Sequence, residues 1–575
     1  MKIWKKTGAI LMGLMISVGA VITAYGGEDG SVIDTAADKP VLLHPVVLAV
    51  SRSESAASGE EEYDSASAYI HYPQIGLTGE EVQDYPNLRK ALDAYNAGKK
   101  SWYESQLTEL TKTAEEMAKY REEEGVDDAS SWIYLTQVAD TQIGRADSRI
   151  FSVIEHFSSY SGGAHGYYQD MGNTFDTQSG KKLAFADVVT DCEAAAAHVF
   201  EKLAEQYPDL SPLMSQEEIA SDMKGENTQG TGNISESGEM YTEGSDQAEM
   251  YFNWYVTDLG VMVVFPPYTL GSYAEGQQKI LLTFAEYPEI LNPEYTVVPD
   301  SFIAPFDPDA VTQVDVDGDG SLEEISVSAV MDEDGSCAYT KRTISLSGGS
   351  NSDSVILQDT YYYSAEYYLV KSGENMYLYC FDHEDNDYVE LKAYRLSGGG
   401  LEALPYGSDE DAEQVGSDTG NLSPRETWES GITADSADNI TVQYPLTDPD
   451  AMQLSSRMNA LSTYSAYRTY SASPGPDGYL TSLDPYYIVD AVRTVTLKQN
   501  ITLTVVGEDG IGTEEKMFTA GSIFTLYRTD GMTFVDLKAD ADGSIVRVSG
   551  DFRQWPHVVM GIQEEELFDG VFYAG

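Results

Sequence analysis

At 575 residues the chain is too long for a single hydrophobic core, which predicts roughly two to four domains, and its 42% hydrophobic content is enough to fill them. It carries 34 lysines and arginines against 95 aspartates and glutamates, a formal charge of −61. Such a surface repels nucleic acid and anionic membranes and attracts cations and basic proteins, so nucleic-acid binding and electrostatic docking to membranes are excluded.

The chain begins with a short basic head, MKIWKK, and the apolar run TGAILMGLMISVGAVITAYGG. That order reads as a secretory signal peptide over 1–26, with Ala24 and Gly26 as the small residues that cleavage reads. An uncleaved signal anchor is the alternative, because the run approaches spanning length; it is the one membrane attachment the sequence offers. No cysteine follows the run, which argues against a lipoprotein anchor. The expected location is outside the cell or at its surface. Residues 27–65, rich in Ser, Ala, Gly, Asp and Glu, read as a flexible acidic spacer, with PVVLAVS adding at most one strand.

Residues 66–292 read as one α/β unit. AYIHYPQI is strand-like. Leu88, Leu92, Tyr95, Trp102, Leu107, Leu110, Ala114 and Met117 then form the apolar stripe of a long amphipathic helix over 85–123, with one five-residue slip. IYLTQVADTQIGRADSRIFSVIEHFSSY alternates like two strands, KKLAFADVV reads as a short strand and turn, and CEAAAAHVFEKLAEQY as a helix. WYVTDLGVMVVFPPYTLGSYAEGQQKILLTF reads as a hairpin, a turn and a closing strand. Beyond Val298 helix signals almost vanish. Residues 298–405 predict a β domain, 406–488 a linker or irregular segment, and 489–575 a small SH3-like β-barrel. The fold class is thus an α+β N-terminal domain followed by mostly-β domains.

Cys192, Cys337 and Cys380 are the three cysteines, too few for a disulfide framework. Cys337 and Cys380 fall in one predicted β region, where a disulfide and two unpaired thiols are both open.

Tyr160-Ser-Gly-Gly-Ala-His-Gly166, Asn173-Thr-Phe-Asp176, Ser179-Gly-Lys-Lys-Leu183 and Asp187 resemble the extracytoplasmic domain pair of RsiV-type anti-sigma factors, which also precedes the catalytic domain of PdaC-type peptidoglycan deacetylases. Phe265-Pro-Pro-Tyr268 and Ser272-Tyr-Ala-Glu-Gly276 resemble the closing hairpin of that family. The resemblance covers roughly residues 66–292. Only six residues precede the apolar run, which leaves no room for a sigma-binding domain. The seven histidines include no pair at metal-ligand spacing, so the deacetylase chemistry is missing as well. What the resemblance implies is a non-enzymatic ectodomain acting at the cell envelope and binding a lysozyme-like protein or peptidoglycan. An unrecognised wall-modifying hydrolase is the alternative.

Within the glycine-rich loop, His165 is read as structural or ligand-facing ahead of catalytic, because spacing orients neither Ser161 nor Asp187 against it. Tyr160 and His165, with Tyr268 and Tyr273 in the Pro- and Gly-bounded loop, are the candidate ligand-binding residues. Exposed aromatics there stack on sugars or fill a partner's cleft; the alternative is that both loop tyrosines pack under the hairpin. Asn173 and Asp176 are expected to hydrogen-bond the turn backbone.

Asp315-Val-Asp317-Gly-Asp319-Gly-Ser321-Leu-Glu323 has the spacing of a calcium loop. Carboxylates at positions one, three and five converge when Gly320 makes the turn, and the Ser321 carbonyl and Glu323 close the shell. Position twelve is Ser326 rather than a bidentate Glu, and Ile325 and Val327 read as strand, so the loop leads into a sheet and not a helix. A structural calcium is the expected cofactor. The acidic runs Asp382–Asp387 and Asp540–Ser544 lack this spacing and read as hairpin turns.

Overall fold

The computed structural model describes residues 39–55, 67–79, 81–124, 133–225, 252–332, 337–349, 353–385, 388–404, 422–428, 439–457, 461, 467–475, 477–489, 494–531, 533–552 and 556–571. The signal segment expected over 1–26 lies outside them. The chain is multidomain and mostly β, with its longer helices in the N-terminal part. Among the described residues no helix is long and apolar enough to cross a membrane.

Alternating apolar and polar residues set two strands side by side, β1 (Pro45–Ser55) and β2 (Ser67–Leu77), antiparallel with Val47 opposite Ile75. The predicted amphipathic helix follows as α1 (Pro86–Glu124). It crosses over the sheet, so the next strand, β3 (Tyr134–Ala146), runs parallel to β2, with Ile70 opposite Gln137. β4 (Ile150–Tyr160) and β5 (Tyr167–Asp176) continue antiparallel. Leu88, Leu92, Tyr103, Leu107, Leu110 and Ala114 of α1 are buried in the cores beneath it. KKLAFADVV does not form the expected strand. Asp187 accepts the Ala184 N–H at 2.8 Å and turns Phe185–Val188 into one helical turn.

The helix predicted at CEAAAAHVFEKLAEQY is α2 (Cys192–Gln206), capped by Asp191, and α3 (Gln216–Met223) packs beside it. β6 (Asn253–Val256), β7 (Gly260–Phe265) and β8 (Gln278–Thr283) form a three-stranded sheet. Val261 and Val263 of β7 face the helices, while Met262 and Val264 face a second core shared with the β domain. Burial on both faces is why GVMVVF is apolar throughout.

The β domain has two sheets. One is β10 (Thr312–Val314), β11 (Glu323–Met331), β12 (Tyr339–Gly348) and β13 (Ser354–Tyr362), and β9 (Phe302–Pro305) joins β14 (Ser364–Ser372), β15 (Asn375–His383), β16 (Val389–Ser397) and β17 (Gly400–Leu404) in the other. Cys380 is buried between them, Cys337 is exposed, and none of the three cysteines is in a disulfide, so the open Cys337–Cys380 bridge does not form. The run beginning at Asp382 is not wholly a turn. Asp382 and His383 end β15, and Asp382 is fully buried against Arg342, whose guanidinium lies 4.5 Å from the Tyr362 ring.

The segment 406–488, expected as linker, carries several short strands among its described residues. β18 (Leu422–Pro424) starts the C-terminal sheet, and β19 (Glu426–Trp428) and β20 (Asn439–Gln443) complete the N-terminal one, β20 pairing with β1 through Val47 and Gln443. These strands are too short for their alternation to stand out between polar runs. Nor do residues 489–575 form a sheet of their own. Val489 pairs with Arg468, which joins them to the preceding strands in one 14-stranded sheet. Asp540–Ser544 is the hairpin turn expected, closed by an Ala539 N–H to Ser544 carbonyl bond of 2.9 Å.

His44 pins this long-range closure. Its Nδ1 lies 2.8 Å from Glu81 and its Nε2 3.0 Å from Asp448. Hydrogen bonds to Asp448 and Glu81 outweigh burial and push the imidazole up to about 10. The folded state therefore holds the proton more tightly than the unfolded one. The resulting stability is complete below about pH 6.5 and is lost as pH rises toward 10. His44→Gln is expected to cost about 1 kcal/mol at pH 6, a value limited by solvent screening of this half-exposed pair, and nothing above pH 10. Urea unfolding at the two pH values checks this; equal losses at both would remove the ion pair as the cause.

Candidate functional site

The loop between β4 and β5 is shaped by Gly162, at φ 90°, where an added Cβ would lie 2.6 Å from the Met117 Cε of α1. Tyr160 donates to the Gly163 carbonyl at 3.1 Å and packs on the helix side of the sheet. It moulds the loop and stands apart from the exposed aromatics.

The other three sequence-predicted residues converge. His165 Nδ1–H donates to the Gly166 carbonyl at 2.8 Å, which leaves Nε2 to accept the Tyr268 hydroxyl at 3.3 Å. The His165 ring stacks on Tyr273, with centroids 4.0 Å apart at 25°. Tyr273 donates to the same Gly166 carbonyl at 2.8 Å. Tyr268 lies 5.6 Å from the Tyr273 ring, and Tyr168, which sequence reasoning missed, meets it edge-on at 6.0 Å. Tyr168 is exposed at the start of β5, directly after the glycine-rich loop. Tyr268 is 55% exposed and sits at φ 74°, a conformation that costs a non-glycine residue about 1–3 kcal/mol. Neither loop tyrosine is buried under the hairpin: Tyr273 is half-buried and Tyr268 open.

Beneath this face lies a polar cluster without a local sequence signature. Asp170 contacts His156 Nδ1 and Lys279 Nζ, each at 2.7 Å, and Lys279 reaches Asp307 at 2.6 Å. Burial pushes the Asp170 carboxyl up, but His156 and Lys279 outweigh it and hold it well below its usual range. Burial likewise lowers the His156 imidazole, and Asp170 outweighs it and leaves it raised. Gln277 closes the set with a 3.2 Å bond to Asp170. The Asp170–Lys279 ion pair ties β5 to β8.

Among the described residues His165 has no carboxylate hydrogen-bond partner. Asp187 is 2.8 Å from Lys181 instead. Asp176 does bond the turn backbone, accepting the Ser179 N–H at 2.7 Å. Asn173 does not: its amide donates to Glu155 at 2.9 Å and accepts Lys182 at 2.8 Å, because it faces the buried side of β5.

In the acidic loop, one carboxylate oxygen from each of Asp315, Asp317 and Glu323 lies within 4.8 Å of the other two. Asp315 also accepts the N–H groups of Gly318 and Gly320, at 2.7 and 2.8 Å, with both glycines at positive φ. Asp319 accepts the Ser321 N–H at 2.7 Å and is outside that trio, as is Ser321.

With the geometry in place, the comparisons can be set beside it. Residues 191–285 match the model of the DUF3298 family. The family model that matches them is described as a protein of unknown function. The matched segment holds α2, α3 and β6 to β8, and with them Tyr268 and Tyr273, whereas Tyr160 and His165 lie upstream. A DUF3298 family member from Bacteroides fragilis NCTC 9343 is 16% identical, covering 44% of this chain and 95% of that one, with a TM-score of 0.31. A DUF3298 family protein from Pseudomonas aeruginosa PAO1 is 14% identical, covering 44% and 96%, with a TM-score of 0.24. No curated protein matches the chain.

Proposed function

We propose that the chain is a non-enzymatic binding protein of the cell envelope, of the RsiV/PdaC ectodomain type, and that the His165–Tyr168–Tyr268–Tyr273 face receives a basic, lysozyme-like protein. The observation that carries the reading is Tyr268: an open aromatic side chain on a strained backbone, held against His165 by a rigid two-sheet base. Strain kept at an exposed position points to recognition, since packing does not need it. Aromatic anchors on a fixed support supply contact area at little entropic cost. The formal charge of −61 steers a basic partner toward this surface.

The test is calorimetric titration of the full chain with an animal-type lysozyme and, separately, with soluble peptidoglycan fragments. Tyr268→Gly is expected to weaken lysozyme binding at least about tenfold while stabilising the fold by about 1 kcal/mol, because glycine relieves the positive φ. Binding to fragments alone would make the ligand a glycan. Silence toward both, or a variant that binds as well as wild type, would sink the proposal.

A further inference from the structure

The geometry points to a calcium ion held by Asp315, Asp317 and Glu323, and the decisive residue is Glu323. It is the first residue of β11 and fully buried. Its Oε2 accepts the Val316 N–H at 3.0 Å, but its Oε1 has no hydrogen-bond partner among the described residues. No lysine, arginine or histidine pairs with it among the described residues. A carboxylate oxygen left bare in a protein interior is strongly unfavourable unless a cation meets it. Gly349, from the turn after β12, lies over Glu323, and a Cβ there would overlap Oε1.

The Glu323 carboxylate and the two aspartates form one cup. Their oxygens lie within 4.8 Å of one another. Calcium–oxygen distances of about 2.3–2.6 Å let one ion bridge such a set, and its tolerance for six to eight hard oxygens leaves room for the Ser321 carbonyl, Asp319 and water. An all-oxygen, anionic set disfavours zinc and copper, which prefer nitrogen and sulfur. The ion would tie the first turn after β10 to the start of β11, where Val314, Val316 and Ile325 enter the shared core. This inference stands apart from the aromatic face and survives if that face binds nothing.

Calcium will also condense diffusely on so acidic a chain, so the experiment must separate the two. The EDTA-stripped full chain is titrated with calcium chloride at about 0.15 M salt, where surface attraction is screened. Wild type is expected to show one saturable site and a thermal midpoint raised by several degrees. Glu323→Gln is expected to lose that site at least about tenfold. Without calcium it should melt higher than wild type, since an unmatched buried charge has gone, and with calcium it should melt lower. Asp317→Asn, on the open side of the loop, gives a second variant that leaves the interior untouched, and it should also weaken binding at least about tenfold. Binding that either variant retains, binding that magnesium matches, or no saturable binding at all would overturn the site. A Glu323→Gln melting order that does not invert with calcium would do the same.

Discussion

Replacing Arg145 with alanine is expected to lower the unfolding free energy by about 3–5 kcal/mol, the range for breaking a buried ion pair from one side. The guanidinium is completely enclosed. It lies 2.7 Å from Asp147 and 3.6 Å from Asp258, and donates to the carbonyls of Tyr295 and Val297 at 2.6 and 2.7 Å. One side chain thus joins the end of β3, the β6–β7 turn and the segment after β8. Asp147 in turn accepts the Arg149 N–H at 2.7 Å and shapes the β3–β4 turn. Alanine would strand two carboxylates and two carbonyls. Lysine restores the charge but not the fork, and is expected to recover less than half of the loss.

Asp258 makes the prediction sharper. Burial pushes its carboxyl up to about 7, against the pull of Arg145. The folded state therefore holds this proton more tightly than the unfolded state. The stability it gives is complete below about pH 4 and is lost as pH rises to 7. Asp258→Asn should then stabilise the fold at pH 8 and leave it unchanged at pH 4. The Arg145→Ala deficit should be larger at pH 8 than at pH 5. Urea titrations at those pH values decide it; a pH-independent deficit under about 1 kcal/mol would show that the enclosed arginine is packing and not an electrostatic brace.

Local patterns were legible in the sequence and distant convergences were not. The α1 stripe was visible, but its five-residue slip has a physical cause. Lys99 occupies a core-facing position between Leu92 and Tyr103, buried because Glu155 meets it at 2.7 Å. A charged residue cannot be read as core until its partner, on a strand 56 residues away, is in place. With Tyr103 taking the position that had been given to Trp102, the helical period is restored. The acidic loop was legible because Asp315, Asp317 and Glu323 fall within nine residues; the burial of Glu323 under Gly349 was not, since Gly349 arrives from another hairpin. His165 and Tyr268 were each identifiable as candidates, yet they are separated by 103 positions and only the fold shows that they meet. β20 is the extreme case: its pairing with β1 is specified by no local signal, and its surroundings are rich in Ser, Asp and Gly.

Gly172→Ala is expected to be as damaging as the loss of Arg145, about 3 kcal/mol or more, through a wholly different mechanism. Gly172 lies in β5 where β6 crosses the sheet backbone to backbone. A Cβ there would fall well inside 3.0 Å of the Trp254 carbonyl oxygen and 2.7 Å from the Tyr255 Cβ. Gly144, on β3, faces Val256 in the same way, and the Val256 N–H donates to Ser152 on β4 at 3.0 Å. Two glycines and a serine thus replace the usual layer of side chains between the sheets, and the obstructing atoms are backbone that cannot rotate aside. Overpacking typically costs about 1–3 kcal/mol where side chains can yield, so a backbone clash belongs at or above that range. Gly98→Ala is the matched control. Gly98 lies in α1 with nothing within 4 Å of its added Cβ, and the change should stabilise the helix by up to about 1 kcal/mol. If Gly172→Ala unfolds no more easily than Gly98→Ala in urea, the close crossing is not rigid. If it does, Tyr268 should also lose its register against His165, because β5 and β8 carry the two halves of the aromatic face and β6 holds them together.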